Sequence, residues 1–394
     1  MMVSGKDSES VSTLRLWRSR AVQKFDMQLF SQGNYAEVMR DDTDAQLISK
    51  VLYPSDNHYE GKSLRLKQQY FLVSASLQCI VSDHKRRYGS RALLPQMAAI
   101  HINDTHPALA IPEMMRILVD ENYFNWEVAW NITTATCAYT NHTVLAEALE
   151  TWAEDLVARR LPRIYGILKE INRRFCDDLW QSFPGEWEKI SRMSILSHNT
   201  VRMANLCVMG SHSVNGVSKL HSDIIKESIF RDFYDYTPDK FHNVTNGIAH
   251  RRWLNQSNPE LCALITDCIG DGYDLHPEKL QELRKYADDE SVLARLDEIK
   301  AIKKRQFAAF AKKQQGVVLD PDTLFDVQAK RMHEYKRQLL NVLHIIADYN
   351  ALRENPDLDI QPKTYIFGAK AAAGYEMAKQ IIKLICFLAE DIRK

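Results

Sequence analysis

Lys330, Arg331, Lys336 and Arg337 put four permanent cations into one short stretch, with His333 among them and only Glu334 opposing. The stretch reads LFDVQAKRMHEYKRQLL over residues 324–340. Leu324, Phe325 and Val327 predict a short buried strand at 324–329. From about His333, Leu339, Val342, Leu343, Ile346 and Tyr349 recur at helical spacing. A helix N-terminus already carries partial positive charge, so cations there are disfavoured by ~0.3–1 kcal/mol each. They make sense when an anion sits among them, because helix N-termini bind phosphate and Arg and Lys add charge-assisted bonds. Two readings are open at this point: a phosphate site at the carboxyl end of a strand, or a solvated basic turn.

Other polar constellations are weaker. His101 and His106 with Asp104 between them invite a metal, yet the strand-to-loop context gives them no reason to face one another, and no third ligand is near. Asp104 reads better as a polar group at a cleft edge. Thr140-Asn141-His142-Thr143 by itself reads as a capping turn at the end of a helix, and Thr245-Asn246-Gly247 as a plain turn. His333-Glu334 lacks the second histidine of a zinc-protease helix. There is no Gly-x-Ser-x-Gly elbow, P-loop or Gly-x-Gly-x-x-Gly.

The elements that must position these residues follow from periodicity and punctuation. A loop at Tyr53–Gly61 precedes a helix over Lys62–His84, whose face is Leu66, Tyr70, Val73, Leu77 and Ile80. A strand is expected at Met97–Ile102. Pro107 should open the next helix, and Pro112 should bend or break it. Trp126–Tyr139 reads as helix, as does Val144 to about Phe175 with a stop near Pro162. Val201–Gly210 is ambiguous, Lys219–Ile229 is helical, and 241–248 is a short strand and turn. After a charged helical stretch at 271–320, the ending reads strand 324–329, helix 333–353, strand 364–367, helix 375–388. That βαβα order implies a parallel sheet with a ligand crevice at the carboxyl ends of its strands. The basic cluster and Gly368-Ala369-Lys370 both fall at such ends, which favours a shared anion site.

Composition narrows the class. The chain has 394 residues, 45% hydrophobic and 26% charged, enough for two domains or one large one. Lys plus Arg and Asp plus Glu are both 51, which gives no support to a general nucleic-acid or membrane-surface role. No apolar run reaches the ~18–20 residues of a membrane span, and the polar start MMVSGKDSESVS has no signal-peptide core. Seven cysteines without a CxxC pair fit reduced thiols in a cytoplasmic protein. TLRLW at 13–17 reads as ordered structure close to the start, and the apolar helix through Ile381–Leu388 needs a packing partner. The expectation is therefore an internal piece of something longer.

Taken in order, the motifs resemble the α-glucan (glycogen, starch, maltodextrin) phosphorylase family. The stretches that match are TLRLW (13–17), VLYPSDNHYEGKSLRLKQQYF (51–71), INDTHPALAIPEMMRIL (102–118), CAYTNHTVLAEALETW (137–152), GSHSVNGVSKLHS (210–222), TNGIAHRRWL (245–254), LFDVQAKRMHEYKRQLLN (324–341) and FGAKAAAGYEMAK (367–379). The resemblance implies an α/β, glycosyltransferase-B-like architecture: two Rossmann-like domains facing a cleft, both incomplete in this chain. Residues 1–250 would be the later part of the N-terminal catalytic domain and 251–394 the first part of the cofactor-binding domain. It also implies phosphorolysis of terminal α-1,4-linked glucosyl units to glucose 1-phosphate by an allosteric, homodimeric enzyme. The partners are the glucan and inorganic phosphate, with no nucleic acid and no membrane. The implied cofactor is pyridoxal phosphate, used through its phosphate as a proton relay.

By position in those motifs, Arg331 and Lys336 would hold the substrate phosphate. Lys330 and Trp253 would line the cofactor, and His142 and Asn246 would bind the 6-hydroxyl end of the glucosyl unit. The backbone around His142 would stabilise an oxocarbenium-like transition state. Asp56 and Asn57 match a mobile loop that gates the cleft, while Asp104, His333 and Tyr335 would support the site. Arg331, Lys336, His142 and Asn246 are then expected to converge.

The family's glycine-rich phosphate-facing loop and its Schiff-base lysine match no part of this chain, and Ala369 and Ala373 replace a common glycine and proline. The chain alone is accordingly expected to be inactive and poorly soluble. The alternatives are a non-catalytic or decayed fragment that at most binds glucan, and a nucleotide-sugar glycosyltransferase of the same fold.

Overall fold

The computed structural model describes residues 2–3, 5–22, 25–145 and 148–393. It divides into two compact units: Val11–Gly247 with Met1–Met2, and Ile248–Lys394 with Val3–Ser10.

The first unit is built on a four-stranded parallel sheet among the described residues: β1 (Ile100–Asn103), β2 (Cys137–Thr140), β3 (Ser213–Gly216) and β4 (Phe241–Asn243), in that spatial order. Register is continuous, with Asn103 opposite Thr140, Thr140 opposite Asn215 and Gly216 opposite Asn243. Helix α1 (Tyr59–Tyr88) buries Leu66, Val73, Leu77 and Val81, a stripe at helical spacing. Its expected face is shifted by one residue at the end, since Val81 rather than Ile80 is fully covered. Helices α2 (Ala110–Arg116), α3 (Trp126–Thr136) and α4 (Pro162–Ser182) contribute Ile111, Met114, Met115, Ile132, Ile167 and Leu168 to the same core. A small antiparallel sheet joins Thr151–Ala153, Thr200–Arg202 and Leu196–Ser197.

Several local expectations are corrected. Met97 ends a short helix, and the strand starts at Ile100. Pro112 neither bends nor breaks its helix: α2 begins at Ala110, so Pro112 lies in the first turn, where a backbone N–H would have no helical partner. The helix expected to run to Tyr139 stops at Thr136, and Cys137–Thr140 is a central strand. Thr134 and Thr136 turn their hydroxyls back on the Trp130 and Ile132 carbonyls at 3.0 and 2.6 Å, and pairing on both edges by β1 and β3 overrides the helical pattern. Val144 begins no helix as far as Leu145; residues 146–147 lie outside those described, and Thr151–Ala153 is strand. Val201–Gly210 resolves into the end of a strand and helix α5 (Met203–Met209).

The second unit holds α6 (Glu290–Gln315), β5 (Leu324–Ala329), α7 (Gln338–Glu354), β6 (Lys363–Gly368) and α8 (Glu376–Arg393). The strands β5 and β6 pair in parallel from Leu324 opposite Lys363 to Ala329 opposite Gly368, as the βαβα pattern requires. One boundary differs. Arg337 adopts a left-handed backbone, φ 62°, after a short 3-10 turn at Glu334–Lys336, so α7 begins at Gln338 instead of His333. The basic residues form a loop ahead of the helix rather than its first turn. All seven cysteines are free thiols, and among the described residues no helix is long and apolar enough to cross a membrane.

Candidate functional site

In the first unit, the carboxyl edge of the parallel sheet is polar. Strands β1, β2 and β4 end on Asn103, Thr140 and Asn243, and Asn215 is the penultimate residue of β3. Such edges are where open parallel sheets place ligands. The correction at 137–140 moves Thr140-Asn141-His142-Thr143 from a helix cap to this edge. His142 is exposed and its Nε2 lies 2.6 Å from Asn103 Oδ1. Thr140 Oγ1 donates to Asn215 Oδ1 at 2.7 Å.

Asn141 is buried and held at its backbone N–H and at both polar atoms of its side chain: its N–H donates to the Asn215 carbonyl at 3.0 Å, its amide to Tyr139 Oη at 3.2 Å, and its Oδ1 accepts the Thr143 N–H at 3.0 Å and meets His221 Nε2. Asn246 follows β4 with its N–H on the Val217 carbonyl at 3.0 Å, just past β3, and its side chain is exposed. His142 and Asn246 thus both follow strands of this one sheet.

Asp104 follows β1 in a left-handed conformation, φ 64°, its N–H on the Thr140 carbonyl at 3.0 Å and its Oδ1 accepting the Thr105 N–H at 2.6 Å. Asp tolerates that backbone because its carboxylate can bond locally. Among the described residues, no group of three His, Cys, Asp or Glu side chains could hold a metal; His101 instead meets Thr140 Oγ1, and His106 packs edge-on to Tyr53 at 6.2 Å. Asp56 and Asn57 lie in the loop before α1. Asp56 pairs with Arg65 at 2.7 Å, and the Arg65 guanidinium lies 5.8 Å from the Tyr53 ring.

In the second unit, Lys330, Arg331, His333, Tyr335, Lys336 and Arg337 occupy the loop from β5 to α7. Met332 is its buried anchor, packed with Ala378 and Ile381 of α8. The Met332 N–H donates to the Lys370 carbonyl at 3.0 Å, which joins this loop to the one after β6. Among the described residues, Lys330, Arg331, Lys336, Arg337 and Lys370 form no ion pair with any carboxylate. Burial first, then the charges of Lys336 and Arg331, push the His333 imidazole below its ordinary pKa. The His333 ring also lies 5.2 Å from Tyr335 and 5.6 Å from Tyr375. Trp253 is 65% exposed, with the Arg252 guanidinium 5.6 Å from its ring. An unpaired ammonium at a strand end and an exposed aromatic ring fit a phosphorylated pyridine in chemistry.

The carbohydrate phosphorylase family profile matches residues 1–394, the whole chain. The chain belongs to the carbohydrate phosphorylase family. Among curated relatives of the chain, glycogen phosphorylase of Bacillus subtilis is 49% identical over 390 residues, covering 99% of the chain and 48% of the relative. The muscle form of glycogen phosphorylase from Bos taurus is 46% identical and that from Homo sapiens 45%, each over 401 residues with the same coverage. The chain therefore spans about half the length of the curated relatives it matches.

Sequence reasoning missed the residues that hold the cation loop. Gln338, almost fully buried, donates Nε2 to the Arg331 carbonyl at 3.0 Å. Gln328 donates to the Lys336 carbonyl at 3.3 Å, and Asn341 in turn donates to Gln328 Oε1 at 3.0 Å. Gln328 and Gln338 lie inside the stretch singled out first and Asn341 directly follows it; the signal available was a carboxamide at the start of an otherwise apolar helix face.

Proposed function

We propose that this chain serves α-1,4-glucan phosphorolysis, in which the terminal glucosyl unit of glycogen or a maltodextrin passes to inorganic phosphate and leaves as glucose 1-phosphate. The observation that carries this reading is the set of loop cations after β5 with no carboxylate partner among the described residues. In a chain with equal numbers of acids and bases, cations left unpaired beside one another repel unless an anion joins them.

The reaction breaks the glucosidic C1–O4 bond, forms a C1–O bond to phosphate and returns a proton to the departing 4-hydroxyl. Arg331 and Lys336 hold the phosphate dianion and fix its attacking oxygen, which supplies positioning and electrostatic stabilisation. His142 and Asn246 bind the 6-hydroxyl end of the glucosyl unit, and the backbone turn fixed by Asn141 faces its developing positive charge. Asp104, His333 and Tyr335 support these groups, and the Asp56–Asn57 loop excludes water, which would otherwise hydrolyse the bond. Lys330 and Trp253 would hold pyridoxal phosphate, which when bound supplies a phosphate group as proton relay.

Residues 1–250 are read as part of a Rossmann-like catalytic domain and 251–394 as the start of a Rossmann-like cofactor domain, in a glycosyltransferase-B-like, homodimeric enzyme. A non-catalytic glucan-binding role is not favoured, because it leaves the cation set without a purpose. The discriminating experiment gives a full-length version of the protein, with pyridoxal phosphate supplied, a maltodextrin and inorganic phosphate and identifies the product. Glucose 1-phosphate supports the reading, and free glucose or no product refutes it.

A further inference from the structure

One carboxylate in the cation loop is left over by the phosphate reading. Glu334 is exposed and shares its loop with four cations, yet its carboxylate forms no ion pair with any of them. Its Oε2 instead accepts the Tyr375 phenol O–H at 2.7 Å, and its backbone N–H donates to the same phenol oxygen at 3.3 Å. Two other negative ends in the loop are treated alike. The Arg331 carbonyl is held by Gln338 and the Lys336 carbonyl by Gln328, at 3.0 and 3.3 Å. Every partner is neutral. A lysine or arginine would satisfy the same acceptors, but only by withdrawing a cation from the set.

Tyr375 is fixed for this task. Its N–H donates to the Ala372 carbonyl at 3.0 Å immediately before α8, and its ring packs on the Met332, Ala378 and Ile381 cluster and faces His333 at 5.6 Å. We propose that Tyr375 is a positioning residue for anion binding: by bonding Glu334 it keeps that carboxylate out of ion pairs with Arg331 and Lys336, so that both stay available to inorganic phosphate. The proposal rests on the phosphate reading of this loop. Without the phenol, Glu334 is close enough in sequence to reach either cation. Such a pair is solvent-exposed, so its competition with phosphate is modest and weakens with salt.

The test is calorimetric titration of inorganic phosphate into the protein at low ionic strength. Tyr375→Phe should weaken phosphate binding by up to about fivefold, the upper range of one exposed ion pair. Glu334→Gln should not weaken it. The double variant Tyr375→Phe/Glu334→Gln should regain the original affinity, a rescue that a purely structural role for the phenol would not give. Unchanged affinity in Tyr375→Phe, or a loss that Glu334→Gln fails to restore, overturns the proposal. Arg331→Ala is the control. If the unaltered protein does not bind phosphate, or Arg331→Ala binds it equally well, the phosphate reading falls and this inference falls with it.

Discussion

His221 Nε2 lies 3.0 Å from Asn141 Oδ1, while His221 Nδ1 accepts the Val217 N–H at 3.2 Å. A ring nitrogen that accepts an N–H carries no proton, so Nε2 holds the hydrogen and the imidazole is neutral. Burial first, and then the neighbouring His142, hold its pKa below the ordinary histidine value. The ring thereby fixes the turn that carries His142.

This neutral histidine has a stability consequence with a definite sign. Its folded pKa lies below its unfolded value of about 6.5, so the unfolded chain takes up the proton first as pH falls. The contribution is complete above that value and is lost progressively below it, down to the folded pKa. His221→Gln can keep both hydrogen bonds without titrating. Urea unfolding at pH 7.5 and 5.5 should show a smaller loss of stability in His221→Gln than in the unaltered protein; equal losses would contradict the neutral lock.

Glu113 is fully buried and accepts from Tyr70 at 2.8 Å, Ser74 at 2.7 Å and Arg116 at 2.8 and 2.9 Å. Burial and the Glu113 bond push the Tyr70 phenol up to about 12. Removing Glu113 leaves the Tyr70 and Ser74 hydroxyls without their acceptor, while Arg116 keeps Glu121 at 2.8 Å. Glu113→Ala should therefore cost about 1–3 kcal/mol of unfolding free energy, the scale of a buried donor left unsatisfied. A cost below about 1 kcal/mol, in the range of an exposed pair, would show that the network contributes little.

A Cβ on Gly61 would lie 1.7 Å from the Ser55 carbonyl oxygen, in the turn where His58 caps α1 by accepting the Gly61 N–H at 3.0 Å. Backbone cannot yield as a side chain can, so Gly61→Ala must displace the loop that carries Asp56 and Asn57. The expected cost is about 1–3 kcal/mol, the usual scale of overpacking, together with faster proteolysis between 51 and 58. Unaltered stability and protease resistance would mean that the loop has room the geometry denies.

Much of the second unit was legible from residue order. Apolar spacing changes from strand to helix and back between Leu324 and Leu388, and the parallel pair β5–β6 follows. Cys137–Thr140 was not, because its apolar residues continue the helical pattern begun at Trp126. What makes it a strand is pairing with β1 and β3, and β3 lies more than 70 residues further on, as the Ala138–Ser213 pair shows. The candidate residues His142 and Asn246 could be named from the motifs, but Asn141, His221, Gln338 and Tyr375 could not. They act by bonding backbone or one another across the fold, and such roles leave no periodic trace. Arg337 gave no warning of its left-handed backbone, a conformation that costs about 1–3 kcal/mol and moves the cations off the helix.

Lys336 and Arg331 lower the His333 pKa after burial has done so. A phosphate dianion bound by those two cations would offset their field, so the His333 pKa should rise when phosphate is added. Proton NMR of the imidazole across pH, with and without inorganic phosphate, reads this directly. A pKa unmoved by saturating phosphate would place the anion elsewhere.

Glucose 1-phosphate release from a maltodextrin, measured with pyridoxal phosphate supplied for a full-length version of the protein and for its Arg331→Ala and Lys336→Ala variants, tests whether the unpaired cations are the phosphate site. Each substitution should lower the rate by about 10²-fold or more, the scale for losing one preorganised electrostatic group, with the unfolding midpoint unchanged because neither side chain has an ion-pair partner to lose. Full activity in both variants would contradict the account.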